Sequence, residues 1–488
     1  MSVSDPSRAR LIQLFAALAI AWVAFGLYPT GFNGGRGDDQ RYLVAALEWW
    51  NQGAHAGTTH WALRHPLILS IVAAFRIDGA SIEAMLLVPR FYGLVVVAMS
   101  VAAIQRLAGA GAAWLWLALF LTSPVAHEVA TSTRPEMIEL AFVVAGLALF
   151  CFANPDGRRE KVMLAGTGAM LGFAIITRET AAIVVPLLFA KLCIDRRWAG
   201  AIALGGGLGA VIGLDWLWLM LETGDPLYRL HVDTAHTRIG SAHMDGRTFA
   251  GSPFFNLDLA ARWIPAGPTR LHWAINPIVD FIIDPRFALI FVGWGIADWR
   301  WRPHHEAYRR LRTPLILLAI ATYVTVCWIF VLRPQPRYFL LPIFSATVAV
   351  ALLTNSAWHR DRHRIWPALL VAAIVGVGGF GIVGGLDRER HARQLLPYLQ
   401  THPGTYFTDE QMAGRLEYWM RQERSPSRLL SGPPPVGAVR IRPIRKDDAT
   451  RPDQHWIIVD RVPAPPRAWW RKRPFKTVKP MLVERRLR

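Results

Sequence analysis

Long apolar blocks constrain this chain more than any other feature. They fall at approximately 11–31, 84–107, 112–127, 135–153, 161–177, 180–194, 199–221, 287–298, 313–332, 337–356 and 366–386. A helix needs about 20 apolar residues to cross a bilayer. Lipid offers no hydrogen bonds, so each such block must satisfy its own backbone as a helix. Charged residues make up 18% of the 488 positions, against about 25% in soluble domains. The charge is also unevenly placed, with 22 basic and 11 acidic residues in 387–488. Disorder and a single soluble core are excluded. The pattern predicts an all-α polytopic transmembrane bundle of about 11–13 spans.

Net charge is +19, which could suggest nucleic acid. Much of it sits in short loops between apolar blocks, however, and reads as the positive-inside signal. With the N-terminus inside, the inside loops carry Arg106, Arg158, Arg159, Lys161, Lys191, Arg196, Arg197, Arg300, Arg302, Arg309, Arg310, Arg312, Arg360, Arg362 and Arg364. Eleven spans then put the tail outside. Two outside loops are large, 32–83 and 222–285. The expected domains are a transmembrane unit, 1–386, and a C-terminal extracytoplasmic α+β domain, 387–488, in which Pro-rich turns alternate with apolar stretches such as Trp456–Val459.

Several local features have ordinary explanations. Arg8 and Arg10 precede an apolar run too long for a signal peptide and without a cleavage site, which predicts a retained first span. Cys151, Cys193 and Cys327 lie in or beside apolar runs and are expected to pack in the core. Gly205, Gly206, Gly207, Gly209 and Gly213 fall inside a span and predict close helix packing rather than a dinucleotide loop. His65–Phe75 is apolar but too short to cross, and suits a re-entrant or interfacial segment.

The chemistry gathers at the outer ends of the spans. Asp38 and Asp39 precede Arg41 and Tyr42 at the start of an amphipathic stretch. Carboxylates are favoured at a helix N-terminus, so this pair serves equally as a cap or as reacting groups. His60 and Arg64-His65-Pro66 run into apolar sequence, where hydrogen bonding suits the histidines better than metal ligation. Arg134-Pro135-Glu136, Arg178-Glu179 and Arg333 through Arg337-Tyr338 each set charge against a span. These arginines sit on the side where the positive-inside rule expects few. Converging there, they would hold a phosphate at headgroup depth.

In this order and sidedness the motifs resemble the membrane glycosyltransferases of the GT-C class, in particular the lipid A aminoarabinose transferase and protein O-mannosyltransferase branch. Three features carry the likeness: Asp38-Asp39 with Arg41-Tyr42, the Arg64-His65-Pro66-Leu67 entry, and Arg337-Tyr338 with Pro342. The family's Asp-Glu pair is Asp-Asp here, its proline pair is reduced to His65-Pro66, and the long protein-mannosyltransferase signature is absent. The resemblance implies transfer of a single sugar from a polyprenyl-phosphate carrier to an outer-face acceptor, with inversion. That acceptor is a glycolipid or lipopolysaccharide first, a protein Ser/Thr second. Asp38 would be the general base, with Asp39 and Glu136 orienting the acceptor. Arg64, His65, Arg178, Arg337 and Tyr338 would hold the donor phosphate. No cofactor is required; a divalent metal, where used, would take Asp38, Asp39 or His60. The implied location is a bacterial inner membrane, with the site on the periplasmic face and no nucleic acid as partner. A lipid-linked sugar transporter or flippase, and a glycan polymerase or ligase, are the competing readings.

Overall fold

The structure is a computed structural model. It describes residues 6–27, 38–153, 158–234, 254–256, 270–272, 285–301, 306–326, 336–360, 365–385, 390–408, 412–413, 416, 420, 425–444, 455–463 and 480–487. The chain divides into two compact units, Met1–Tyr28 with Ala45–Ile382, and Pro29–Val44 with Val383–Arg488.

The spanning part is helical. In chain order the helices are α1 (Pro6–Leu27), α2 (Asp38–Gln52), α3 (His65–Asp78), α4 (Ile82–Leu121), α5 (Pro124–Ala130), α6 (Pro135–Phe152), α7 (Arg158–Thr177), α8 (Val184–Ile194), α9 (Trp198–Thr223), α10 (Pro285–Trp301), α11 (Glu306–Val324), α12 (Leu340–Arg360) and α13 (Ile365–Gly385). Turns of 3-10 helix, Glu179–Ile183 and Pro336–Phe339, lead into α8 and α12. Among the described residues, seven helices are long and apolar enough to cross a membrane.

α4, at 40 residues, is two helices meeting at Gly109, whose φ of 86° only glycine adopts without strain. A straight helix of that length would run ~60 Å, twice the ~30 Å hydrocarbon core. The break falls between the blocks expected at 84–107 and 112–127. α3, at 14 residues, is too short to cross and packs on α4, α6 and α7. In α2 the buried Tyr42, Ala45, Ala46 and Trp49 mark one helical stripe, while Arg41, Val44 and Glu48 are exposed.

Two packing themes hold the bundle. The segment Pro336–His359 is buried along nearly its whole length and packs against α4, α10 and α11, with Phe344 edge-on to Trp116 and near Phe120. The second is backbone contact between α7 and α9. A Cβ on Gly207 would lie 1.9 Å from the Ala165 carbonyl oxygen, and one on Gly168 would lie 1.9 Å from that of Leu204. The glycine-rich span is therefore a helix-packing surface. α9 and α13 are apolar yet mostly exposed, as lipid-facing helices must be. One expectation is corrected here. Cys151 is exposed on α6 and Cys193 is half-buried, so neither is a core residue. The helix face carrying Cys151 points away from the bundle, where apolar side chains meet lipid and burial no longer selects for core packing. Cys327 lies outside the described residues.

The second unit carries α14 (Arg390–Thr401) and a five-stranded sheet. Its strands are β3 (Thr405–Thr408), β4 (Arg428–Ser431), β5 (Val439–Pro443), β6 (Trp456–Val462) and β7 (Met481–Arg486), in the order β4-β3-β5-β7-β6. β3 pairs in parallel with β4 and β5, and β7 antiparallel with β5 and β6. β1 (Phe254–Asn256) and β2 (Arg270–His272) form a separate antiparallel pair. Leu395, Leu399, Tyr406, Ile441 and Val483 make the core of the α+β unit. Buried Glu484 is held by Arg440 at 2.7 Å and by Arg442 at 2.8 Å.

Candidate active site

Three helix starts supply the charged residues of one cleft. Arg134 is the N-cap of α6, followed by Pro135 and Glu136 in its first turn. Proline fits the first helical position because no partner for its missing N–H is needed there, and glutamate complements the positive helix end. Arg178 caps the 3-10 turn Glu179–Ile183, and Arg337 and Tyr338 lie in the 3-10 turn that opens α12. The relevant ends of α6, α8 and α12 are thus the positive ends of helices.

Glu136 lies at the centre. Its Oε1 is 3.1 Å from Arg178 Nη1 and 3.4 Å from Arg337 Nε. One helical turn further along α6, Glu139 Oε2 is 3.8 Å from Arg178 Nη1, and its Oε1 accepts the Thr180 hydroxyl at 2.7 Å. The Arg178 guanidinium lies 4.3 Å over the Tyr338 ring and that of Arg337 lies 5.1 Å over it; Arg337 Nη2 also donates to the Tyr338 hydroxyl at 3.4 Å. Arg134 is held by Glu128 at 3.0 Å. Arg134, Glu136 and Arg178 are each less than 10% exposed. The cleft is narrow and partly open, with a cavity volume of about 10 Å³. Buried arginines in contact with one another's partner need anions, and Glu136 supplies one full charge between two guanidinium groups. A phosphate oxygen would complete the balance.

A second group adjoins through Glu179. His60 Nε2 is 2.6 Å from Arg64 Nη2, and His60 Nδ1 is 2.7 Å from Asp233 Oδ1. Arginine only donates, so Nε2 is the acceptor and Nδ1 carries the proton given to Asp233. His60, Glu179 and Asp233 each offer a ligand atom, all within 4.8 Å of one another, and Glu179 Oε1 is buried without a hydrogen-bond partner among the described residues. Imidazole with two carboxylates suits a divalent cation, but such an ion would have to take a ring nitrogen from Arg64 or Asp233.

His65 opens α3 with its Nδ1 2.5 Å from Asp215 Oδ1, between the rings of Trp49 and Trp218. Burial pushes its imidazole below the usual histidine range, against the pull of Asp215. Asp38 and Asp39 form the first turn of α2, with Asp39 buried. They belong to the second compact unit. Arg333 lies outside the described residues.

Residues 63–218 match the model of a family described as dolichyl-phosphate-mannose-protein mannosyltransferase. ArnT from Cupriavidus metallidurans, in the apo state, is 14% identical, with 98% of each chain covered and a TM-score of 0.52. The same protein bound to undecaprenyl phosphate gives 14%, 97% of each chain and 0.52. The fold is that of the GT-C membrane glycosyltransferases. The oligosaccharyltransferase of Archaeoglobus fulgidus in complex with Zn and sulfate shares it at 13% identity, over 86% of this chain and 62% of that one, with a TM-score of 0.51. No curated protein sequence matches the chain significantly.

Within this GT-C fold, several residues at the site escaped the sequence reading. Glu139 follows Glu136 by three residues, a spacing that puts both on one helix face and was legible. Asp233, paired with His60 across 173 residues, and Arg229, bonded to Leu63 O across 166, left no local signal.

Proposed function

We propose that the chain moves a single sugar from a polyprenyl-phosphate carrier to an acceptor on the outer face of a bacterial inner membrane, with inversion at the anomeric carbon. The observation that carries this reading is the buried Arg178–Glu136–Arg337 group with Tyr338, set at three helix starts in a partly open cleft. It is a charge arrangement suited to a phosphate leaving group. In the reaction, the acceptor hydroxyl oxygen attacks the anomeric carbon as the bond from that carbon to the phosphate oxygen breaks. Asp38 takes the hydroxyl proton, and Arg178, Arg337 and the Tyr338 hydroxyl stabilise the charge that returns to the phosphate. Asp39 supports Asp38 and Glu136 holds the arginines in place. Arg64 and His65 would help to hold the donor phosphate. His60, Glu179 and Asp233 would hold a divalent cation, which would add positive charge beside the phosphate. The first acceptor is a glycolipid or lipopolysaccharide. A protein Ser/Thr acceptor is the second reading, favoured by the family model over 63–218.

The test is turnover. Purified chain, given labelled polyprenyl-phosphate sugars and envelope lipid, should release bare polyprenyl phosphate and a glycosylated lipid. Mass spectrometry of envelope glycolipids from a deletion strain should show loss of one sugar. Unchanged glycolipids together with unmodified protein acceptors would reject the reading.

A further inference from the structure

The C-terminal unit leaves one strand edge apolar and exposed. β6 ends the sheet order, and among the described residues no strand pairs with its outer side. Ile457, Ile458 and Val459 on this strand are 50%, 46% and 46% exposed. Leu487, whose backbone N–H donates to His455 O at 2.8 Å beside the strand, is 52% exposed. The pairing with β7 shifts register between Ile458 and Asp460, so Val459 bulges out of the ladder. α14 does not cover this edge with its core leucines, since Leu395 and Leu399 pack against Tyr406, Ile441 and Val483. Edge strands are normally blunted by charge or proline. The acid of β6, Asp460, is already engaged by the Arg461 backbone N–H at 2.7 Å and by the Tyr398 hydroxyl. Adjoining half-exposed aliphatic side chains of this kind mark a contact surface rather than a water-facing strand.

Charge says what the edge meets. Arg461 on β6 and Arg485 on β7 are both exposed beside it, and Arg440 lies 3.6 Å over the ring of Trp456 at the start of the strand. In sequence, the 463–479 connection between β6 and β7 adds six basic residues and no acidic one. A second copy of the edge would bring the same basic rim, and like charges set against each other oppose pairing. Four residues in sequence separate α14 from α13, which is long and apolar enough to cross a membrane, so the unit is tethered close to a bilayer. We propose that the β6 edge docks the C-terminal unit on an anionic lipid surface. Ile457, Ile458, Val459 and Leu487 enter the headgroup layer, and Arg461 and Arg485 meet lipid phosphates. Shallow apolar insertion combined with attraction between basic side chains and anionic lipid holds a surface at the interface. The inference does not depend on the transferase reading.

The experiment uses full-length chain carrying Cys151→Ser, Cys193→Ser and Cys327→Ser, with a nitroxide attached to Ile458→Cys. It is placed in nanodiscs of phosphatidylcholine alone or mixed equally with phosphatidylglycerol. Gln400→Cys, exposed on α14, is the water-facing reference. In the anionic discs at low salt, the ratio of oxygen to nickel-chelate collisions at Ile458→Cys should exceed that at Gln400→Cys by about three-fold or more, and fall back at high salt as the charges are screened. Arg461→Glu combined with Arg485→Glu should abolish the rise. Val459→Cys serves as the reporter should Ile458→Cys misfold. Equal collision ratios at the edge and at α14 would overturn the proposal. So would a rise as large in neutral discs or in the charge-reversed variant. Nitroxide–nitroxide broadening would overturn it in favour of two copies pairing through β6.

Discussion

Asp215, inside an otherwise apolar helix, lies 3.0 Å from the Arg229 guanidinium. The same carboxylate takes Nδ1 of His65 at 2.5 Å, and Arg229 goes on to donate to the carbonyl oxygens of Leu63 at 2.6 Å and Ile176 at 3.3 Å. One ion pair thus ties α9, the segment after it, the end of α7 and the turn that presents Arg64. Removing one partner of a buried pair costs about 3–5 kcal/mol, because the other charge is stranded. Asp215→Asn and Arg229→Met should each lower the unfolding temperature substantially, and the double variant should lose less than the two losses added. Additive losses in thermal unfolding would show that the pair is not coupled.

His65 gives the chain an acid limit. Burial holds its folded pKa below the ordinary 6.5. Between that lowered value and 6.5 the unfolded chain binds more protons than the folded one, so stability falls as pH drops through this window. It is fully present above about 6.5. His65→Gln, which cannot be protonated, should flatten the acid side of a plot of unfolding temperature against pH from 7.5 to 5. An identical slope in both proteins would assign the acid limit to other groups.

Arg337→Ala should weaken donor use more than folding. Hydrogen bonds to charged groups contribute roughly 1.5–3 kcal/mol, which is ten-fold or more in turnover. Arg337→Lys should recover little, since a point charge cannot reproduce the fork that reaches both Glu136 and Tyr338. Wild-type turnover from well-folded Arg337→Ala would remove it from the phosphate site.

Asp38→Asn should abolish transfer while the protein still inserts. Asn cannot take the acceptor's proton, and loss of a general base typically costs 10²–10⁴-fold. If the pair serves only to cap α2, Asn caps as well as Asp and activity persists. Retention of more than a tenth of the rate with a labelled polyprenyl-phosphate sugar would refute the assignment. A dead Asp39→Asn beside an active Asp38→Asn would exchange the two roles.

The glycines of α9 supply an internal control. Gly207→Ala drives a Cβ into the Ala165 carbonyl, whereas Gly206→Ala and Gly209→Ala meet nothing within 4 Å. Overpacking costs about 1–3 kcal/mol. Gly207→Ala should lower the unfolding temperature and the other two leave it unchanged or raised, since alanine favours helix. Equal effects of all three would mean that α7 and α9 do not approach through this face.

Hydropathy and loop charge by themselves determined the helical membrane class, the break between the second and third apolar blocks, and the non-crossing α3. Each depends on residues close in sequence, where the length of an apolar run and the company of prolines and glycines are physically sufficient. The helix-start arginines were legible for the same reason: Arg134, Arg178 and Arg337 each stand just before an apolar block. Tertiary structure alone decided what they meet. Nothing near Asp215 in sequence indicates that it pairs with His65, 150 residues earlier, or nothing near His60 that it meets Asp233. A buried charge must have a partner, but the sequence states only the demand; helix packing chooses which residue answers it. Glu139 stands between the two cases. Its helical register with Glu136 was readable, while its approach to Arg178 and its bond from Thr180 depend on how the neighbouring segment packs.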